Sequence, residues 1–399
     1  MSKNFTFHNF SPEMQVLIRA SEAAFLPDKK AEVAHLVQNS TIDWDKVYQL
    51  SWNHQIKPIL LRGVSGLPSE LVPSPFMDCL KMACLKITTF ALSQTKELQR
   101  LLALFKENNI RVVPYKGVTF ASRYYGNLGL REFSDIDLFI YEKDILTLKK
   151  LFLGLGYVPQ NNFTAAQEAA YFKISCEYNF TFYSADNKML FHVEPHYRSN
   201  DLYDGIGFLT LEDCEDTLQK VDFNNITIQT LSVEDNFLII MTHHGAKEAW
   251  SRLKYLIDIY AIIKKEQNTI NWEVLLEKAA KLHATTSLLI GLGMIYELFD
   301  IALPPSVISR FKNPKIVALV ENRYKNLNGD YGAYSTYRLA LFKLKSIDGW
   351  ANKLKNVFLK LTIPNSADLA FVNLPPHFFF LYIFIRPIRV IKKQYVKSS

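Results

Sequence analysis

Apolar residues recur at helical spacing over much of the chain, and the pattern changes only in the middle. Behind Pro73 and Pro75, the residues Phe76, Leu80, Ala83, Ile87, Phe90, Ala91, Leu98, Leu101, Leu102 and Phe105 keep a near-helical period. That spacing predicts one long amphipathic helix, stopped at Asn108-Asn109, where asparagine tolerates a left-handed turn. Upstream, Asp43 stands at a helix start with Val47, Leu50 and Trp52 behind it. The helical period returns from about Ser232. Leu253, Leu256, Ile257, Tyr260 and Ile263 mark one helix, and Trp272, Leu275, Leu276, Ala279 and Leu282 the next. A third runs over 288–299, before Pro304-Pro305, and the remainder reads as helical with interruptions at Pro364 and Pro375-Pro376.

Between these regions the period shortens. Residues 110–115 form a β-rich run, followed by Lys116-Gly117, a short helical stretch to Tyr125 and a loop at 126–129. Residues 135–140 read as a strand and 144–154 as a helix ended by glycine. Alternating residues over 172–183 and 188–197 predict a hairpin around Ser184 to Asn187. The order implies an α+β protein, with a small mixed sheet carrying helices on one side, set between two mainly helical regions. The expected division is 1–108, 109–230 and 231–399.

Composition narrows the class. Hydrophobic residues make up 49% and charged residues 21%, a folded and not a disordered balance. The net charge is +7, and residues 351–399, with eight bases against Asp368, account for all of it. The body therefore lacks the basic surplus of a dedicated nucleic-acid binder, and no stable DNA complex is expected. The basic tail (Lys392, Lys393 and Lys397 at its end) is read as a solvated helix end, with contact to phosphate, to an acidic partner or, weakly, to a membrane surface as the alternatives. Cys79, Cys84, Cys176 and Cys214 lack metal-ligand or disulfide spacing, and Cys79 and Cys84 read as small core residues. Without a signal-like leader or a span-length apolar run, a cytoplasmic protein is expected.

Candidate chemistry gathers in the middle region. Asp135 and Asp137, one residue apart in a strand, leave the same face, while Ile136, Leu138 and Ile140 take the other. Two adjacent carboxylates repel unless a cation lies between them. Magnesium suits such a pair, since it binds a few carboxylates together with waters and substrate phosphates; manganese is the alternative. Lys116-Gly117 offers a charge and an approachable backbone to a phosphate. Arg131 lies four residues before Asp135, and Glu194 on a later strand offers a further ligand.

These residues carry a resemblance. Val113 to Gly117, Tyr124 to Gly126 and Leu130 to Ile140, above all Arg131 with Ser134-Asp135-Ile136-Asp137-Leu138, resemble the uncharacterised nucleotidyltransferase family of the DNA polymerase β-like superfamily, whose members are often bacterial and encoded in biosynthetic clusters. The likeness continues through Leu155 to Tyr157, Val193 to Tyr197, Leu231 to Asp235, His243-His244 and Leu253 to Asp258. Asp43-Trp44, His54 and the stretch 385–389 extend it over nearly the whole chain. The resemblance implies that Asp135, Asp137 and Glu194 bind two magnesium ions. It implies that Lys116, Gly117, Arg131 and Ser134 contact the triphosphate of ATP or another nucleoside triphosphate. A nucleoside monophosphate would pass to an unknown acceptor (peptide, glycan precursor, protein or nucleic acid), releasing pyrophosphate. The first turn reads Lys-Gly-Val where the superfamily usually has Gly-Ser or Gly-Gly, which motivates the alternative of a catalytically silent nucleotide-binding or regulatory module.

Other residues have two readings each. His196, with His192, shares the face of Glu194 and either orients a metal-bound carboxylate or the acceptor, or makes structural hydrogen bonds. His243, His244 and Lys247 either line the cleft or pack and cap. Asp258, on an apolar helix face, reads as a buried partner of Arg252 or Lys254. Trp44, Trp52, Trp250 and Trp272 read as core.

Overall fold

The computed structural model describes residues 7–328, 336–372, 374–386 and 388–389, so Pro387 and the tail residues Lys392, Lys393 and Lys397 lie outside the described residues. Helices α1 (Pro12–Ala23), α2 (Lys30–Gln38), α3 (Trp44–Asn53) and α4 (Lys57–Val64) lead into α5 (Ser74–Glu107), the long amphipathic helix. Asp43 accepts a hydrogen bond from the Lys46 amide, so the acid at the start of α3 is its N-cap. α5 ends as the sequence implies, with Asn109 in the left-handed region at φ 55°.

A five-stranded sheet follows, formed by β1 (Val112–Pro114), β2 (Ile136–Ile140), β3 (Val158–Pro159), β4 (Phe180–Tyr183) and β5 (Met189–His196). Its order is β1-β2-β5-β4-β3; β2 and β5 run parallel and the other pairs antiparallel, which makes the sheet mixed. Between the strands lie α6 (Gly117–Phe120), α7 (Ile145–Gly154) and α8 (Ala165–Ile174). α8 shortens the expected hairpin, whose first strand begins at Phe180 and not near 172. Thr164 and Gln167 form a capping box there and start a helix where the run Tyr171-Phe172 imitates a strand. The helix α9 (Leu211–Cys214) precedes a separate hairpin, β6 (Gln219–Phe223) with β7 (Ile226–Thr230), docked where Thr230 Oγ1 donates to the Pro114 carbonyl at 2.8 Å.

The C-terminal helices are α10 (Val233–Thr242), α11 (Leu253–Glu266), α12 (Trp272–Lys281), α13 (Thr285–Leu298), α14 (Pro305–Phe311) and α15 (Pro314–Leu327). They are followed by α16 (Thr336–Ser346), α17 (Trp350–Thr362) and α18 (Ser366–Phe371). Leu17 and Ile18 of α1 share one apolar core with Ile257 of α11 and Ile290 of α13, so the two helical regions pack as a unit. α5 serves two cores: Phe76 and Leu80 enter that one, while Leu98, Leu101 and Phe105 cover Ile136, Leu138 and Ile140 of the sheet.

Three expectations change. Helices do not cover only one face, because Phe139 on the opposite side of β2 is buried with Leu211 of α9 and Ile239 of α10. Cys84 is buried but Cys79 is exposed, because α5 turns that position away from the core. Trp250 is fully buried, whereas Trp52 is 59% exposed and packs its ring under the Lys57 ammonium.

His54, at the C-cap of α3, joins the two helical regions: its Nδ1 accepts from the Leu253 amide at 3.1 Å. Burial, assisted by the Arg252 charge, pushes the imidazole pKa down to about 4. A free histidine titrates near 6.5, so between these values the unfolded chain binds more protons than the folded one. The stability present above the unfolded value is lost as pH falls and levels off below the folded one. Urea midpoints should report a loss of about 3 kcal/mol across that window. His54→Gln should remove this component, and an unchanged pH dependence in that variant would contradict it.

Candidate active site

The site begins with backbone. β1 delivers Lys116 to the turn into α6, and Gly117 adopts φ +54° with its α-carbon against the loop before β2. A Cβ at Gly117 would meet the Asp135 carbonyl oxygen at 2.8 Å, so only glycine lets the two loops touch. Gly117→Ala is expected to cost roughly 1–3 kcal/mol in urea unfolding. Gly154→Ala, where an added Cβ meets nothing within 4 Å, should be near neutral; equal midpoints for the two variants would refute the close approach.

The loop before β2 is held from both sides. Glu132 accepts from the Lys57 amide and pairs with its ammonium at 2.7 Å, fastening the loop to α4. Arg131 donates two hydrogen bonds to Asp258 of α11, at 2.8 and 2.9 Å. Asp258 also accepts from the Tyr125 hydroxyl at 2.7 Å and from His244 Nε2 at 2.9 Å. The expected partners Arg252 and Lys254 are thus replaced by Arg131, from a loop, and by Tyr125 and His244, from two π-helical turns. Tyr125 closes the turn Ala121–Tyr125 and His244 lies in the turn His243–Lys247; the wider turns swing side chains that an α-helix would point elsewhere. Burial alone would raise the Asp258 pKa, but the Arg131 charge and these hydrogen bonds hold it well below the carboxylate range. Arg131 lines the cleft, yet its guanidinium is committed to Asp258.

The carboxylates meet across the parallel strands. Asp137 on β2 stands in register with Glu194 on β5. Regular pairing begins at Ile136, so Asp135 sits one residue outside the strand, half-buried, with the Ser134 hydroxyl at 3.3 Å. Pro195 fits because the β4 ladder ends at Phe180 opposite Val193, and its carbonyl accepts from the Tyr178 amide. Lys116 Nζ lies 3.6 Å from Asp137. His196 Nε2 lies 3.3 Å from Asp137 and 3.6 Å from Glu194, and its Nδ1 is 3.4 Å from Glu177. His192 contacts Glu194 at 3.3 Å and Thr181 at 2.9 Å.

This arrangement divides the acids. Burial, then repulsion from Asp137 and Glu194, pushes Asp135 up to about 7. Burial acts in the same sense on Asp137 and Glu194, but Lys116 and His196 hold Asp137 down, and His192 and His196 hold Glu194 down. Burial would lower His196, yet Asp137 and Glu194 raise it to about 9.

A cavity of about 240 Å³ opens on these groups. Lys116, Arg131, Ser134, Asp135, Asp137 and Glu194 line one side, with Gly117 beneath the turn and His196 behind the carboxylates. His243, His244 and Lys247 line it from the helical region. Lys254 and Glu177 were not foreseen as part of it. Lys254 is buried on α11, with Nζ 3.3 Å from Gln55, and burial pushes its pKa down to about 8. A lysine within the apolar run 253–257 was the available signal. Glu177 had none beyond its charge, because its place beside His196 and Lys247 depends on the β4–β5 turn-back.

The residues fit a divalent cation. Donor atoms of Asp137, Glu194 and His196 lie within 4.8 Å of one another. The buried ring nitrogens of His196 face carboxylates without a well-formed hydrogen bond. Asp135, Asp137 and Glu194 together offer the hard oxygen donors that magnesium or manganese prefers.

The family model described as "Uncharacterised nucleotidyltransferase" matches residues 40–300. That span runs from just before α3 through α13, and the stretch 385–389 lies beyond it. No curated protein and no solved structure matches the chain.

Proposed function

The chain belongs to this family of nucleotidyltransferases, and on that premise we propose that it moves a nucleoside monophosphate from a nucleoside triphosphate to an acceptor, with magnesium or manganese as cofactor. The observation that carries the reading is the register of Asp137 with Glu194, with Lys116 beside Asp137 and with Lys247 and Lys254 facing them across one cleft. Carboxylates on one wall suit metal ions, and ammonium groups on the other suit a triphosphate.

In this reading Asp135, Asp137 and Glu194 hold the cations, and Lys116 and Lys254 neutralise phosphate oxygens. Magnesium bound there supplies activation of the attacking oxygen and stabilisation of the departing pyrophosphate. The acceptor oxygen forms a bond to the α-phosphorus while the bond to the β-phosphate bridging oxygen breaks. Arg131 acts as a positioning residue, fixing the loop of Ser134 and Asp135 through Asp258.

A second cavity, about 420 Å³, shares Glu177 and Lys247 with the first and is lined by Asn179, Asp201 and Tyr203. Its amides, acids and hydroxyls suit a hydroxyl-rich acceptor, such as a glycan precursor, better than a polyanion.

Calorimetry with manganese and a non-hydrolysable triphosphate analogue tests the binding half. Wild type should bind nucleotide only with metal present, and Asp137→Asn should lose that metal-supported binding. Metal-independent binding of equal strength in both proteins would sink the reading. A silent module would bind in the same way yet release no pyrophosphate.

A further inference from the structure

α17 is turned the wrong way for a helix of a soluble core. At 100° per residue, Trp350, Leu354, Val357, Phe358 and Leu361 fall on a single stripe, and such a stripe normally faces the interior. Here it faces solvent: Trp350 is 76% exposed, Phe358 63% and Leu361 61%. The polar Asn356 is buried instead, and its amide donates to the Tyr203 carbonyl. Asn352, on the same inward side, donates to the Asp348 carbonyl at 3.0 Å.

The charges complete the pattern. Lys353 and Lys360 flank the stripe on one side and Lys355 on the other, and residues 349–367 contain no acid. Arg386 donates to the Lys360 and Ile363 carbonyls, which ties the segment bearing exposed Phe380 and Phe384 to the C-terminal end of α17.

We propose that α17 is an interfacial helix that lays this protein on an anionic lipid surface, with Trp350, Leu354, Phe358 and Leu361 entering the acyl boundary and the three lysines meeting headgroup phosphates. Charge complementarity selects this occupant. A second copy packed on the same stripe would bring lysines against lysines in a two-fold contact. No helix among the described residues is long and apolar enough to cross a membrane, so the association is peripheral. The surface lies outside the catalytic cleft, and the proposal does not depend on nucleotidyl transfer.

The test is co-sedimentation of the full chain with vesicles of equal phosphatidylglycerol and phosphatidylcholine, or of phosphatidylcholine alone. Wild type should partition to the mixed vesicles about tenfold or more above the neutral ones, and high salt should reduce the difference. Leu354→Glu/Phe358→Glu, both at exposed positions, should lose binding about tenfold or more while keeping the thermal midpoint. A Lys353→Gln/Lys355→Gln/Lys360→Gln variant, which leaves the stripe intact, should lose the preference for anionic lipid. Wild type remaining in the supernatant with anionic vesicles overturns the proposal. So does equal binding by wild type and both variants. A dimer in light scattering that the double variant dissociates, without vesicle binding, assigns the face to a second copy and also overturns it.

Discussion

Asp137→Asn is expected to lower nucleotidyl transfer by on the order of 10³-fold or more, since several kcal/mol of charge stabilisation are lost with a metal-binding carboxylate. The side chain is buried, stands in register with Glu194, and faces Lys116 at 3.6 Å and His196 at 3.3 Å. The amide keeps the shape and removes the anion, so the loss should appear in the rate with the fold retained. Asp135→Asn separates chemistry from stability. Burial and the neighbouring acids hold Asp135 up at about 7, so the metal-free protein at pH 8 strains against its own charge. The asparagine variant should therefore keep or raise the metal-free thermal midpoint at that pH. Wild type should gain stability when magnesium replaces EDTA, and the variant should gain less, because a cation that binds only the folded state stabilises it by mass action. Equal magnesium gains in the two proteins would contradict the assignment.

Asp258→Ala is expected to be the most destabilising single change at the site, at about 3–5 kcal/mol. It strands the Arg131 guanidinium in a buried position and removes the acceptor of Tyr125 and His244. Urea unfolding should show the loss in the midpoint with little change in slope. Replacing both members, Arg131→Met with Asp258→Leu, should recover much of it, because no buried charge is left unpaired. The double variant should still be impaired in transfer, since the loop of Ser134 and Asp135 loses its tether to α11. A folded double variant with full activity would show that Arg131 does not position that loop.

Local signals made much of this legible. The Asp-x-Asp spacing anticipated that Asp135 and Asp137 line one cavity, although Asp135 lies one residue before the strand, and the alternation through His192, Glu194 and His196 placed those three together. The long apolar period anticipated α5, and Asn108-Asn109 its end. What escaped was non-local. The parallel pairing of β2 with β5 joins residues 57 apart in register, such as Asp137 and Glu194, and no turn signal announces it. The clamp of Arg131 on Asp258 spans 127 residues, and Tyr125 and His244 join it from two π-helical turns, which helical periodicity does not reveal. α17 shows a third kind of blindness: its stripe was readable, but the side it presents to the body was fixed by Asn356 and Tyr203. α8 was misread because Tyr171 and Phe172 are adjacent apolar residues, and adjacency favours neither period.

Nucleotidyl transfer has a signature that separates it from phosphoryl transfer and from simple binding. The direct measurement supplies the protein with magnesium, a lysate of its native host, and each nucleoside triphosphate labelled either at the α- or at the γ-phosphorus. The α-label should enter an acceptor while the γ-label leaves as pyrophosphate, and the Asp135→Ala/Asp137→Ala variant should do neither. Transfer of the γ-label to the acceptor, or identical product from wild type and the double variant, would contradict a nucleotidyltransferase centre at Asp135, Asp137 and Glu194.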